Sequence, residues 1–287
     1  MCIRDRVYGT VRHKRLCDHV LAKRVRQPLD DLPRPILTIL RMGVFQSLFC
    51  AEVTHPAMVH TAVDLARKYG HAGTARLVNA VLRRVPQSLE EVPLPGSAQD
   101  PVGYLTARYS MPGWVVERWL AEEGPEAAER LCAAYNVEAP VTARVNTWAM
   151  TREVLLERLN AGGWSAAALD DIPDGIVIAD GPPPARSKLF QQGRFIIEDA
   201  ASMLPPHLLE PRPGERVLDL CAAPGVKTTH VALLAEGRAQ VVAADVHAGK
   251  LRGVLENAER LGAPGIALLC MDGREPALAG RFDRVLV

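Results

Sequence analysis

The residues of this sequence that best fit a ligand site lie in one segment, Asp219-Leu-Cys-Ala-Ala-Pro-Gly-Val-Lys-Thr228. An apolar strand pattern, Val217–Leu220, leads into it, and a helical pattern runs from Thr228 to Ala235. Small side chains in such a loop let a ligand approach the backbone, and the N-terminus of the helix offers free N–H groups to a polar or anionic group. The segment therefore predicts a binding loop between a strand and a helix.

Two carboxylates follow the next two predicted strands. Asp245 comes after Val241–Ala244, twenty residues past Gly225, and Asp272 comes after Ile266–Leu269. A carboxylate in the first position accepts hydrogen bonds from the ribose hydroxyls of a nucleoside, and the second can accept from an adenine amino group. The loop has neither the dinucleotide fingerprint nor the phosphate-loop pattern. S-adenosylmethionine is therefore the predicted cofactor; an ordinary strand–helix turn with two capping aspartates is the alternative.

The elements around this loop alternate between strand and helix. The second predicted helix, Gly249–Leu261, carries an apolar stripe and ends at Gly262, and a last strand spans Phe282–Val287. The stripe consists of Leu251, Val254, Leu255, Ala258 and Leu261. The order β-α-β-α-β predicts one half of a doubly wound, Rossmann-like sheet over residues 212–287.

The chain before this domain shows three further patterns. Residues 7–86 are predicted to be all-helical, 87–101 form a proline-rich linker, and 102–211 mix helices and strands as an α+β domain. The helical part includes Ala57–Tyr69 and Ala72–Val85. The opening Met1–Arg6 fits no pattern and is left out of the fold prediction.

Charge is distributed unevenly along the chain. Residues 1–86 contain 15 Lys and Arg against 6 Asp and Glu, a balance of +9, whereas residues 87–287 contain 19 against 27, a balance of −8. A basic first domain favours a polyanionic partner, with RNA first, although a solvated basic face without a partner is the alternative.

The bulk composition excludes several classes of protein. No apolar run reaches the length of a membrane helix, no secretory segment opens the chain, and six scattered cysteines form no C-x-x-C pair. We therefore expect a cytoplasmic protein that acts as a monomer, without a membrane partner and without a metal site.

The segment Asp219–Thr228 resembles the cofactor loop of the RsmB/Sun/Fmu family of bacterial RNA cytosine methyltransferases. Lys250-Leu-x-x-Val-x-Glu-Asn-x-x-Arg-Leu-Gly262 resembles the next helix of that family, and Phe282–Val287 resembles the strand that leads into its Asp-Ala-Pro-Cys motif. Tyr104–Trp119, Arg144–Thr147 and Phe190–Ser202 resemble its middle region, and His71–Arg84 resembles its NusB-like domain.

The resemblance implies a function for each part of the chain. Residues 7–86 would be a NusB-like RNA-binding domain, 102–211 an RNA-recognition region, and 212–287 the first half of an S-adenosylmethionine-dependent methyltransferase domain. The substrate would be small-subunit ribosomal RNA, methylated at carbon 5 of a cytosine. The cofactor would be held by Cys221, Ala222, Ala223, Pro224, Gly225, Val226, Lys227, Asp245 and Asp272.

In this family a cysteine thiolate adds to carbon 6 of cytosine, which makes carbon 5 nucleophilic toward the methyl group. By the resemblance that cysteine lies beyond Val287, so we expect a truncated domain with no catalytic residue of its own and no methylation activity. Cys221 is assigned to the cofactor side. Val226 stands where the family has a second glycine, which predicts weaker cofactor binding, and Glu198 stands where the family has Gln.

Two other functions remain open. A NusB-type RNA-binding adaptor, with a methyltransferase-like platform that does not catalyse, would also fit a chain without the nucleophile. A methyltransferase for a small molecule or a protein is a weaker alternative, because the basic helical domain argues against it.

Overall fold

The structure is a computed structural model that describes residues 3–275, 278 and 280–287, with side chains described from residue 5 onward. The chain divides into two compact units, Met1–Glu138 and Ala139–Val287. Each unit has hydrophobic clusters of its own. Across the described residues, no helix combines the length and the apolar character that crossing a membrane requires.

The first unit is entirely helical in its described part. Its α-helices are α1 (Ile3–Arg12), α2 (Lys14–Ala22), α3 (Arg34–Phe49), α4 (His55–Tyr69), α5 (Ala72–Leu82), α6 (Pro101–Tyr109), α7 (Gly113–Glu123) and α8 (Pro125–Ala134). The helices predicted at Ala57–Tyr69 and Ala72–Val85 are confirmed as α4 and α5.

One core holds helices α2 to α5 together. Leu16, Leu40 and Leu82 are fully buried within it. Helix α5 begins with a capping box, in which Nδ1 of His71 accepts from the N–H of Gly73 at 3.1 Å and the Thr74 hydroxyl accepts from the N–H of His71 at 2.9 Å. Such a box satisfies N–H groups that have no partner within the helix, so the boundary between α4 and α5 is well defined.

Two segments of the first unit differ from the sequence-based expectation. Helix α1 begins at Ile3, within the opening that fits no pattern, and it buries the small residues Gly9 and Thr10. The proline-rich segment 87–101 contains no helix or strand before Pro101, yet Val92 is buried in the core of helices α2 to α5. It therefore packs against that core.

The second unit contains two sheets. Its elements are β1 (Val141–Val145), α9 (Arg152–Ala161), β2 (Ser165–Ala168), β3 (Gly175–Asp180), α10 (Lys188–Gln191), β4 (Phe195–Ile197), α11 (Ala200–Leu209), β5 (Arg216–Asp219), α12 (Val226–Leu234), β6 (Gln240–Asp245), α13 (Ala248–Leu261), β7 (Ile266–Cys270) and β8 (Arg284–Leu286).

The first sheet is antiparallel, with the strand order β2-β3-β1-β4. Helix α9 packs against it through Leu155 and Leu159. These two residues form one buried hydrophobic cluster with Val145, Ile176 and Phe195. Sequence alternation predicts three of its four strands; the short strand β2 escapes prediction because its alanines carry no apolar–polar contrast.

The second sheet is parallel, with the order β7-β6-β5-β8. Val217 of β5 pairs with Val241 of β6, and Leu218 pairs with Val285 of β8. The predicted β-α-β-α-β arrangement is confirmed, and the last strand lies beside β5. Because the strands are parallel, the carboxyl ends of β5, β6 and β7 lie on one edge of the sheet.

Two apolar assignments near the second sheet are wrong. Leu255, placed on the buried stripe of α13, is 46% exposed. Cys270, expected to end a buried strand, is exposed. Strand β7 is the outer strand of the described sheet, and Leu268 within it is 39% exposed. Only part of its surface is therefore covered by α13.

Candidate cofactor site and comparison with known proteins

The loop between β5 and α12 is held by both neighbouring strands. Leu220 donates its N–H to the carbonyl of Leu286 after β5, and Ala222 donates to the carbonyl of Ala244 in β6, each at 2.9 Å. The predicted loop residues Cys221–Lys227 therefore lie at the carboxyl edge of the parallel sheet. Lys227 and Val226 belong to the first turn of α12 and are half-buried.

Gly225 makes the sharp turn from this loop into α12. Its φ is +93°, in the left-handed region that favours glycine, and an added Cβ would lie 2.7 Å from Cα of Val254 in α13. The glycine is thus required by the close approach of a neighbouring helix. It also leaves the start of α12 without a side-chain cap, so the first N–H groups of the helix are available to a polar ligand.

Asp219, at the end of β5, is hydrogen-bonded to the first turn of α12. Its side chain is buried, and Oδ2 accepts from the Thr228 hydroxyl at 2.7 Å. Burial raises the pKa of Asp219, while the hydrogen bonds from Thr228 and from the N–H of Cys221 oppose that rise. Sequence analysis includes Asp219 in the motif but does not predict it as a site residue; its place at a strand end was the available signal.

The structure joins Asp245 directly to the loop. Oδ2 of Asp245 accepts from the N–H of Ala223 at 3.2 Å, and Oδ1 accepts from the N–H of His247 at 2.9 Å. The bond from His247, followed by that from Ala223, lowers the pKa of Asp245, so the group stays ionised near neutrality. The loop and the Asp245 carboxylate, which the sequence analysis predicts separately, are therefore in direct contact.

Asp272 lies beyond β7 and is engaged by its own neighbour. Arg274 donates from its backbone N–H and from its guanidinium to the carboxylate, with Nη2 at 2.6 Å from Oδ2. These bonds lower the pKa of Asp272. Because the arginine side chain is 88% exposed, the pair is a surface ion pair of small net stability, which a ligand amino group can replace.

A buried arginine of the antiparallel sheet reaches the helix that follows the loop. Arg144 of β1 is fully buried; its Nε donates to Oε2 of Glu198 at 2.8 Å, and its Nη2 donates to the carbonyl of Val226 at 3.2 Å and the hydroxyl of Thr229 at 3.1 Å. Glu198, noted as a departure from the family pattern, is therefore the charge partner of Arg144. An arginine within the apolar alternation of Val141–Val145 was the sequence signal.

The carbonyl of Pro224 in the loop accepts from Nδ2 of Asn257 in α13 at 2.9 Å. Strands β5 and β6, helix α13 and the antiparallel sheet thus all contribute to the position of the loop and of the first turn of α12. A loop held in this way can present backbone N–H groups and the Asp245 carboxylate to a nucleoside.

This fold and loop define the class of protein: an α/β methyltransferase domain that follows a NusB-like helical domain and a ferredoxin-like domain. The model of the NusB family matches residues 2–87. The model of the RsmF/B-like ferredoxin-like domain matches residues 111–183, and the model of the 16S rRNA methyltransferase RsmB/F matches residues 206–287. Residues 206–287 therefore match the RsmB/F family of rRNA methyltransferases, and the residues before them match the two domains that the resemblance implied.

Curated relatives agree with this assignment. The chain is 34% identical over 284 residues to a probable ribosomal RNA small subunit methyltransferase B of Bacillus subtilis (strain 168), covering 98% of this chain and 63% of the relative. It is 34% identical over 286 residues to the ribosomal RNA small subunit methyltransferase B of Pseudomonas putida, covering 99% of this chain and 64% of the relative. The chain thus spans less than two thirds of the length of either relative.

A solved structure shows the same fold over most of the chain. The protein titled PH0851 superimposes with a TM-score of 0.75 at 24% identity, covering 94% of this chain and 60% of that protein.

Proposed function

We propose that this chain binds S-adenosylmethionine and serves the methylation of cytosine carbon 5 in small-subunit ribosomal RNA. The observation that supports the proposal is the hydrogen bond between Asp245 and the backbone of the loop. Each carboxylate oxygen accepts one backbone N–H, from Ala223 or His247, and each retains a second lone pair for a ligand hydroxyl. These groups fit the ribose of a nucleoside without any rearrangement of the loop.

In this proposal, Asp245 accepts the ribose hydroxyls, Cys221–Lys227 line the cofactor through their backbone, and Asp272 accepts the adenine amino group in place of Arg274. When bound, the cofactor supplies an electrophilic methyl group on a sulfonium. Val226 adds a branched side chain at the start of α12, and its predicted effect is a lowered affinity.

None of the described cysteines fits the nucleophile that carbon 5 methylation needs. Burial raises the pKa of Cys17 to about 12 and also raises the pKa of Cys50 and Cys132, whereas nucleophilic attack requires a thiolate. Cys221 and Cys270 are exposed, but Cys221 belongs to the cofactor loop and Cys270 ends β7. We therefore assign the nucleophile to none of these five residues.

The RNA partner is proposed from the first unit. An open groove of about 1170 Å³ runs between helices α4 and α5. Its lining includes Arg67, Arg76 and Arg83. All three arginines are exposed, and they belong to residues 1–86, which carry a balance of +9. A basic groove of this kind fits an RNA backbone, because Lys and Arg displace the counterions of the phosphates.

Two measurements on the whole chain test the function. Calorimetry should show S-adenosylmethionine binding, and labelled methyl transfer to unmodified small-subunit rRNA should be absent for this chain, with the probable small-subunit rRNA methyltransferase of Bacillus subtilis assayed beside it. Transfer by this chain that is abolished in Cys221→Ser would show that the nucleophile is assigned wrongly. RNA binding without any cofactor binding would favour the adaptor function.

A further inference from the structure

Three side chains that bind metals in other proteins converge in the second unit, away from the cofactor loop. Asp174 precedes β3, His207 lies in the last turn of α11, and His230 lies in α12. Nε2 of His207 is 2.8 Å from Oδ1 of Asp174, and Nε2 of His230 is 2.9 Å from Oδ2. One ligand atom from each residue lies within 4.8 Å of the others, which is compact enough for a single ion.

A hydrogen-bonded triad is the simpler explanation, and it accounts for only half of the cluster. The bond between His207 and Asp174 is well formed. At the other carboxylate oxygen, Oδ2 of Asp174 lies 2.9 Å from Nε2 of His230; burial raises the pKa of Asp174, and this contact lowers it. Among the described residues, however, the contact does not have the alignment of a well-formed hydrogen bond. Nδ1 of His230 is likewise buried without a described partner.

Buried polar atoms in native proteins are nearly always satisfied by a protein group, a water or an ion. Glu198, the nearby carboxylate, is already paired with Arg144 at 2.8 Å, whereas the ion pairs of Asp174 within the described residues are those with the two histidines. A cation at the cluster would satisfy Oδ2 of Asp174 and Nε2 of His230 together. It would also neutralise the buried carboxylate of Asp174.

We propose that Asp174, His207 and His230 bind one divalent transition-metal ion, with Zn²⁺ as the best match. Two imidazoles and one carboxylate are ligands that suit zinc, whereas Mg²⁺ and Ca²⁺ favour oxygen donors alone. The side chain of His207 is 27% exposed, so solvent has access to the site and a water can complete the tetrahedron. Because α12 begins at the cofactor loop, the ion would brace that helix against α11 and the turn before β3.

The test uses the whole chain, stripped with a chelator and titrated with Zn²⁺ alone. We expect one zinc bound per chain and a rise in the midpoint of thermal unfolding, since an ion that binds only the folded state stabilises it. His207→Gln should abolish both effects; this position is the most exposed of the three and the least needed for packing. His60→Gln is the matched control, because His60 is 77% exposed, lies 3.4 Å from Asp64, and is not part of the Asp174 cluster.

A second variant and a spectroscopic probe make the result independent of folding defects. With Co²⁺ in place of zinc, the parent should show the visible absorption of a tetrahedral complex. His207→Cys keeps a ligand atom and should retain the metal while adding a sulfur-to-cobalt charge-transfer band. The proposal is overturned if the stripped parent binds no stoichiometric zinc, or if His207→Gln binds zinc as well as the parent and the His60→Gln control do.

Discussion

At the scale of single residues, the position of the candidate cofactor loop depends on hydrogen bonds to two carboxylates, Asp245 and Asp219. Asp245 accepts from the N–H of Ala223, and Asp219 accepts from the hydroxyl of Thr228. A carboxylate that holds a backbone N–H fixes both the position of the loop and the direction of its own remaining lone pairs. The same residue can therefore serve the protein and the ligand.

The substitution Asp245→Ala should weaken S-adenosylmethionine binding by about tenfold or more, which corresponds to the loss of a charge-assisted hydrogen bond of roughly 1.5–3 kcal/mol. Calorimetry of the parent and the variant measures the difference. Asp170→Ala removes an exposed carboxylate of the same unit, away from the loop, and should leave the affinity unchanged. Equal affinities for parent and Asp245→Ala would refute the assignment.

Gly225 offers a second residue-scale prediction. Gly225→Ala should destabilise the second unit by roughly 2–4 kcal/mol, because a left-handed φ and a Cβ placed against the Val254 backbone both cost energy. Gly249→Ala is the control, since its Cβ would meet nothing within 4 Å; within α13 it should be neutral or slightly stabilising. Urea unfolding followed by circular dichroism compares the two variants. A Gly225→Ala protein as stable as the Gly249→Ala protein would contradict the packing argument.

At the scale of elements, the antiparallel and parallel sheets are linked by the buried Arg144. Its guanidinium is bonded to Glu198, to the carbonyl of Val226 and to the hydroxyl of Thr229. Burial raises the pKa of Glu198, and the adjacent arginine opposes that rise. The pair therefore ties strand β1 to the first turn of α12, directly after the cofactor loop.

Arg144→Ala should lower the free energy of unfolding by about 3–5 kcal/mol, because it leaves a buried carboxylate without its partner. Glu198→Gln should cost less, since the amide oxygen keeps the shape of the carboxylate and can still accept from Nε. Denaturant unfolding of both variants provides the comparison. If Arg144→Ala proved as stable as the parent, the bridge would contribute nothing to holding α12.

At the scale of the whole molecule, the excess positive charge and the candidate cofactor loop lie in different parts of the chain. Residues 1–86 carry a balance of +9, and residues 87–287, which contain the cofactor loop, carry −8. The proposed function needs one surface that attracts phosphate and another that holds the methyl donor. Under that proposal the two tasks fall in separate segments of the chain.

The double substitution of Arg76 and Arg83 by Ala should weaken binding of the whole chain to small-subunit rRNA. It should also flatten the salt dependence of log affinity, by roughly one unit of slope for each phosphate that the protein no longer neutralises. Arg158→Ala, an exposed arginine of α9, is the control and should change neither. Filter binding across a salt series measures both quantities. An unchanged slope in the double variant would exclude the α4–α5 groove as the RNA surface.

The amino-acid sequence alone predicts most of the elements and the family resemblance. Apolar patterns predict α4, α5, α13 and the parallel strands. The motif Asp219–Thr228 also locates the loop, since the small residues needed at a strand–helix turn can be recognised in the sequence. The helical region is predicted only from residue 7, because Met1–Arg6 is left out of the fold prediction, whereas helix α1 begins at Ile3.

Which distant side chains meet depends on the packing in three dimensions. Ala223 and Asp245 are 22 positions apart, Arg144 and Thr229 are 85 apart, and Asp174 lies 33 positions from His207. Sequence patterns report the burial of one element at a time, whereas these contacts depend on how strands are ordered and how helices pack across them. The partners of Arg144 and the cluster around Asp174 could therefore be found only in the folded chain.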